Sequence, residues 1–104
     1  MVGIDIVEIE RIHLNDNFLR HVLSMKEMEL LSKRKDKRQF VAGRFAAKEA
    51  FLKANKKGIF DSSLVKIEVL NNEDGSPYIV FEGTRYDNVS IAHERNYAVA
   101  VVEI

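Results

Sequence analysis

Apolar and polar positions change period twice along the chain. Over "VGIDIVEIERI", residues 2–12, alternation puts Val2, Ile4 and Ile6 on one side and Gly3, Asp5, Val7 and Ile9 on the other, which predicts a strand. Both sides are mostly apolar, so burial of both faces is expected. The period then lengthens: Leu14, Phe18, Leu19, Val22, Leu23, Met28, Leu30 and Leu31 recur mostly at helical spacings. Ser24 followed by Glu27 is a capping box, and a helix is predicted to start near Met25. The charged stretch "KRKDKR", residues 33–38, reads as a solvated link or helix start. A longer helix is predicted from about Asp36 to Asn55, with Gly58 as its stop. Beyond it the period returns to two. "LVKIEVL", the turn chemistry of "NNEDGSP" and "YIVF" predict a hairpin, with Pro77 at a strand start where its missing donor matters least. "NVSIAH", the turn "ERN" and "YAVAVVEI" predict a second hairpin. Strand, helices and then four strands make an α+β arrangement, expected as one domain over residues 1–104.

Composition narrows the function classes. The 16 basic and 16 acidic residues cancel, so no global field draws in a nucleic acid duplex or an anionic membrane, and any anion site must be local. The chain has no cysteine, which excludes disulfides and thiolate metal sites. Neither an apolar run long enough to span a bilayer nor a charged-then-apolar leader is present, and a cytoplasmic protein is expected. At 104 residues an enclosed active site would strain the core, a limit that a cleft shared between subunits would ease.

Asp5 is the anomaly of the first strand. An ionised carboxylate out of water costs several kcal/mol unless partnered, so it must be protonated, paired with a cation or holding a metal. On the long predicted helix the 100° step puts Arg38, Ala42, Ala46, Glu49 and Lys53 along one stripe, whose small residues invite close backbone packing. Glu49 and Lys53 stand in the favourable i, i+4 order, which by itself reads as a helix ion pair. Arg44 and Lys48 form a like-charged i, i+4 couple, and two cations facing one direction suggest phosphate. Asp5 and Glu49 offer two hard oxygen ligands without imidazole or thiolate, a set that selects Mg²⁺ over zinc or copper. No Walker A loop or glycine-rich dinucleotide fingerprint is present.

These segments resemble the holo-acyl-carrier-protein synthases, the small phosphopantetheinyl transferases. "GIDIVEIERI" resembles the family's first strand with its metal-binding aspartate, here Asp5, and "FVAGRFAAKEAFLKA" is similar to its helix motif, with the second metal ligand at Glu49. "VSIAHERNYAVAVV" resembles the closing hairpin, whose histidine falls on His93. The resemblance implies the α+β phosphopantetheinyl transferase fold, an N-terminal strand and helices followed by antiparallel hairpins, assembled as a homotrimer with coenzyme A between subunits. It implies transfer of 4′-phosphopantetheine from coenzyme A to a serine of apo-acyl carrier protein, releasing 3′,5′-ADP, in fatty acid biosynthesis. Magnesium on Asp5 and Glu49 would bridge the pyrophosphate, Lys53 would neutralise or protonate the leaving oxygen, and Glu49 or a water it orients would take the serine proton. Arg44, Lys48, Gly58 and His93 are expected at the nucleotide. Arg11 matches an arginine of the family's carrier-docking helix, and Arg20 and Lys26 lie in the same segment, where basic groups would draw in an acidic carrier. His13 and His21 have no metal spacing and are read as surface or partner-facing groups.

Two departures accompany the resemblance. After the helix the family usually has a glycine, threonine, glycine turn, and this chain has "NKKG", in which only Gly58 survives beside Lys56 and Lys57. Ala92 stands where a serine or threonine commonly precedes the histidine. The altered loop leaves open a catalytically silent trimeric carrier-binding module, and the acid pair leaves open a small Mg²⁺-dependent phosphohydrolase.

Overall fold

A computed structural model describes residues 1–56 and 63–104; the expectations for Lys57 and Gly58 lie outside these residues. The first strand, β1 (Val2–Glu8), runs into a 3₁₀ turn at Ile9–Arg11. Three helices follow: α1 (Asp16–Val22), α2 (Met25–Ser32) and α3 (Lys37–Asn55). After a second 3₁₀ turn at Leu64–Lys66 come β2 (Glu68–Asn71), β3 (Pro77–Phe81), β4 (Thr84–Tyr86), β5 (Val89–His93) and β6 (Tyr97–Glu103). The strands form two antiparallel sheets, ordered β1-β6-β5 and β2-β3-β4, so the chain is α+β as expected.

Local chemistry sets the helix ends. At α2 the Ser24 hydroxyl accepts the Glu27 N–H at 3.2 Å while the Glu27 carboxylate accepts the Ser24 N–H at 2.9 Å, completing the expected capping box. At α3 the Asp36 carboxylate accepts the Gln39 N–H at 3.0 Å. This helix ends before Gly58: Lys56 takes the left-handed conformation at φ 57° and returns its N–H to the Leu52 carbonyl at 3.1 Å. The sequence reading also missed β4. Glu82 and Gly83 both have positive φ, 50° and 77°, so a two-residue turn folds Thr84 back opposite Phe81. Glutamate in place of Asn or Asp made that turn hard to see.

The long helix α3 lies against β1 and β6 of the first sheet. Ala42, Ala46 and Ala50 are fully buried there, and Gly3 of β1 sits so close that a Cβ on it would fall 1.9 Å from the Ala50 carbonyl oxygen. Small residues on both elements let the backbones touch, which carries Asp5 toward Glu49. Phe51 meets Phe81 and Tyr86 edge-on, with ring centroids 5.3 and 5.0 Å away, and joins the second sheet to the same helix. The expected two-sided burial of β1 does not hold within one chain. Val2, Ile4 and Ile6 are 60%, 58% and 64% exposed, because the helix covers only the opposite face. No helix among the described residues is long and apolar enough to cross a membrane.

Candidate active site

The partner demanded by Asp5 is a cation. Lys53 Nζ donates to Asp5 Oδ1 at 3.1 Å and to the Ile4 carbonyl at 2.9 Å, so the lysine reaches across to β1 rather than back along its own helix to Glu49. Asp5 and Glu49 face a common cavity of about 360 Å³ whose apolar wall includes Val7, Ile12, Phe18 and Phe45. Phe18 and Phe45 stack there with centroids 6.2 Å apart. Burial, and secondarily the charge on Asp5, push the Glu49 carboxyl above the ordinary glutamate range, while Lys53 opposes the rise. The site thus pairs one cation-bound carboxylate with a second of enhanced basicity.

Earlier on the same helix, Arg44 faces a separate cavity of about 440 Å³, lined also by Arg34, Lys35, Phe40, Asn71 and His93. Its guanidinium lies 4.2 Å from the Phe40 ring centroid and donates to Asn71 Oδ1, but its buried Nε has no hydrogen-bond partner among the described residues. Arg34 lies over the same ring at 4.7 Å. Burial, and then the charge on Arg34, push Arg44 down to about 10, against a smaller opposing pull from Glu27. Neither arginine forms a salt bridge among the described residues. A desolvated guanidinium with an idle donor, next to a second guanidinium, is a receptor for an anion. Arg34 and Lys35 were hidden in the stretch read as a solvated link. Their signal was the run of like charge just before a helix whose first turn carries an aromatic residue.

Comparison with known proteins identifies the family. Residues 1–102 match the 4′-phosphopantetheinyl transferase superfamily. The chain belongs to that superfamily. It is 44% identical to a holo-[acyl-carrier-protein] synthase of Bacillus cytotoxicus over 97% of this chain and 91% of that protein. A crystal structure of a holo-(acyl-carrier-protein) synthase from Bacillus anthracis, in complex with CoA (3′,5′-ADP), superposes with TM-score 0.85 at 40% identity, over 97% of this chain and 91% of the other. The coenzyme A complex of the Helicobacter pylori holo-[acyl-carrier-protein] synthase gives TM-score 0.86 at 34% identity, covering 99% and 98% of the two chains.

Within this phosphopantetheinyl transferase chain, one expected site residue is displaced. Lys48 does not join Arg44 at the second cavity. It is fully buried, and its Nζ donates to Glu27 Oε1 at 2.6 Å, to the Leu64 carbonyl at 2.9 Å and to the Val22 carbonyl. The physical reason is a buried carboxylate: Glu27, also fully buried, needs a cation, and Lys48 is the one aimed at it. Residues one turn apart on α3 therefore part ways. His93 does reach the Arg44 cavity, from the end of β5. Arg11 borders the Asp5–Glu49 cavity and pairs with Glu8 at 3.0 Å, while Arg20 on α1 and Lys26 on α2 are exposed. Gly58 lies outside the described residues.

Proposed function

We propose that the chain is a Mg²⁺-dependent holo-[acyl-carrier-protein] synthase that transfers 4′-phosphopantetheine from coenzyme A to a serine of apo-acyl carrier protein. The observation that carries this reading is the pair of cavities served by α3: one holds Asp5 and Glu49, the other the uncompensated Arg44. The relatives' names and the CoA complexes of similar folds support the same substrates. A cytoplasmic enzyme of fatty acid biosynthesis, one domain over residues 1–104, completes it.

Arg44 and Arg34, with Lys35 and His93, receive the phosphates of the nucleotide end. The serine oxygen forms a bond to the β-phosphorus as the bond to the departing oxygen breaks, and 3′,5′-ADP leaves. Glu49, or a water it orients, takes the serine proton, while the Lys53 ammonium neutralises the departing oxygen. The donor set fits Mg²⁺: both ligands are hard carboxylates, their mutual repulsion contributes to the rise in Glu49, and the remaining positions suit water and phosphate oxygens. Asp5 and Glu49 would hold the ion, which offsets charge on the pyrophosphate when bound.

Arg11, Arg20 and Lys26 support docking of an acidic carrier, because Arg11 stands at the rim of the Asp5–Glu49 cavity and the other two are exposed. The uncovered strip of Val2, Ile4 and Ile6, with Val101 paired opposite Ile4, supports a homotrimer. Ile6→Glu is expected to yield monomers in light scattering after size exclusion and to cut transfer; an Ile6→Glu protein of parental mass would remove this face from assembly.

The decisive test incubates the protein with Mg²⁺, coenzyme A and apo-acyl carrier protein and follows carrier mass. The expected result is conversion to the holo form. No mass gain from an assembled protein favours a silent carrier-binding module, and 3′,5′-ADP release without carrier favours a phosphohydrolase.

A further inference from the structure

We propose that the buried Glu27–Lys48 ion pair is a positioning device for nucleotide binding: Lys48 neutralises Glu27 and so leaves the Arg44 guanidinium uncompensated for a phosphate. This rests on the reading of the Arg44 cavity as the nucleotide site.

The pair has no unused capacity. The three donors of the Lys48 ammonium serve Glu27 and the Val22 and Leu64 carbonyls. Glu27 in turn accepts from the Ser24 N–H, from Lys48 and from the Val69 N–H, the last two at 2.6 and 2.9 Å. Ends of α1, α2, β2 and the Leu64 turn thereby meet one point on α3. Arg44 sits one helical turn before Lys48, is itself only 5% exposed, and has no carboxylate partner among the described residues. A buried carboxylate stripped of its cation is neutralised by a proton or by another cation. The buried cation at hand is Arg44, one helical turn from Lys48 and with an Nε unpartnered among the described residues. Removing Lys48 alone should therefore turn Arg44 inward and empty the cavity of its main cation. Removing Glu27, or both, should leave Arg44 where it is.

The experiment measures Kd for 3′,5′-ADP by calorimetry, with kcat and KM for coenzyme A, in Lys48→Met, Glu27→Gln and the double variant. Loss of one charge-assisted contact predicts that Lys48→Met weakens 3′,5′-ADP binding and raises KM by about tenfold or more, with kcat much less affected. Glu27→Gln and the double variant should bind close to the parent, the second substitution rescuing the first. A purely structural pair would make both single variants alike. Equal weakening by Glu27→Gln, a double variant no better than Lys48→Met, or parental binding by Lys48→Met would each overturn the proposal. Lys48→Gln replaces Lys48→Met if the latter does not fold, since it keeps a donor for the carbonyls. Proton exchange at Arg44 Nε, followed by NMR without ligand, should slow in the lysine variant and return to the parental rate in the double variant. Should the parent bind no 3′,5′-ADP, the functional reading falls, and the exchange rates alone decide this inference: an unchanged rate in the lysine variant overturns it.

Discussion

Glu49→Gln is expected to lower phosphopantetheine transfer by roughly 10³-fold, the scale of losing a positioned base and a charge at the reacting phosphate together. The amide retains the size of the side chain and can still face the cavity beside Asp5, but it neither accepts the serine proton nor offers an anionic oxygen. Without bound metal, burial and then the Asp5 charge raise the Glu49 carboxyl, and stability carries the sign of that rise. A carboxyl that titrates higher in the folded chain than in the unfolded one binds its proton more tightly when folded, so stability declines as pH rises through that value. Glu49→Gln escapes this decline. In chelator, its melting temperature should match the parent's below the ordinary glutamate range and exceed it near neutrality. A variant that keeps a tenth or more of the parental rate would take Glu49 out of the chemistry. A melting difference independent of pH would show that the carboxyl is not raised.

Gly3→Ala is the second large effect, and it acts on the fold first. The added Cβ would lie 1.9 Å from the Ala50 carbonyl oxygen and 2.8 Å from the Ala54 nitrogen, both helix backbone that no rotamer change can clear. Relief requires β1 to move off α3, which opens the contact made by Ala46 and Ala50 and pulls Asp5 away from Lys53 and Glu49. A cost of about 3 kcal/mol or more follows for overpacking against rigid backbone. For a chain of this size that corresponds to a fall in Tm of roughly 12 °C or more. Gly43→Ala is the control. Among the described residues its Cβ would meet only the Ile91 Cγ2 at 3.2 Å, the end of a side chain that can give, and alanine favours the helix; a change within about 1 kcal/mol is expected. Equal melting temperatures for Gly3→Ala and the parent would mean that strand and helix are not in backbone contact.

The local elements were legible because short-range chemistry specifies them. The Ser24–Glu27 box, the helical spacing from about Asp36 to Asn55 and the alternation either side of "NNEDGSP" are local patterns, and the structure places α2, α3 and the β2–β3 hairpin accordingly. The quoted motifs also sufficed to indicate the family. What periodicity could not decide is which side chains meet across long separations. Arg44 and Lys48 look equivalent on a helical wheel, yet one keeps an idle donor at a cavity while the other is consumed by Glu27, 21 residues away. Lys53 likewise prefers Asp5, 48 residues distant, to its helical neighbour Glu49. Arg34 and Lys35 become cavity groups only because β2 and β5 bring Asn71 and His93 beside them. The sequence by itself determined the Ser24–Glu27 cap and the β2–β3 and β5–β6 hairpins, but neither the left-handed stop of α3 at Lys56 nor the Glu82–Gly83 turn. Tertiary packing alone decided which charges are neutralised and which stay available, because desolvation and Coulomb energy depend on distances that no local pattern encodes.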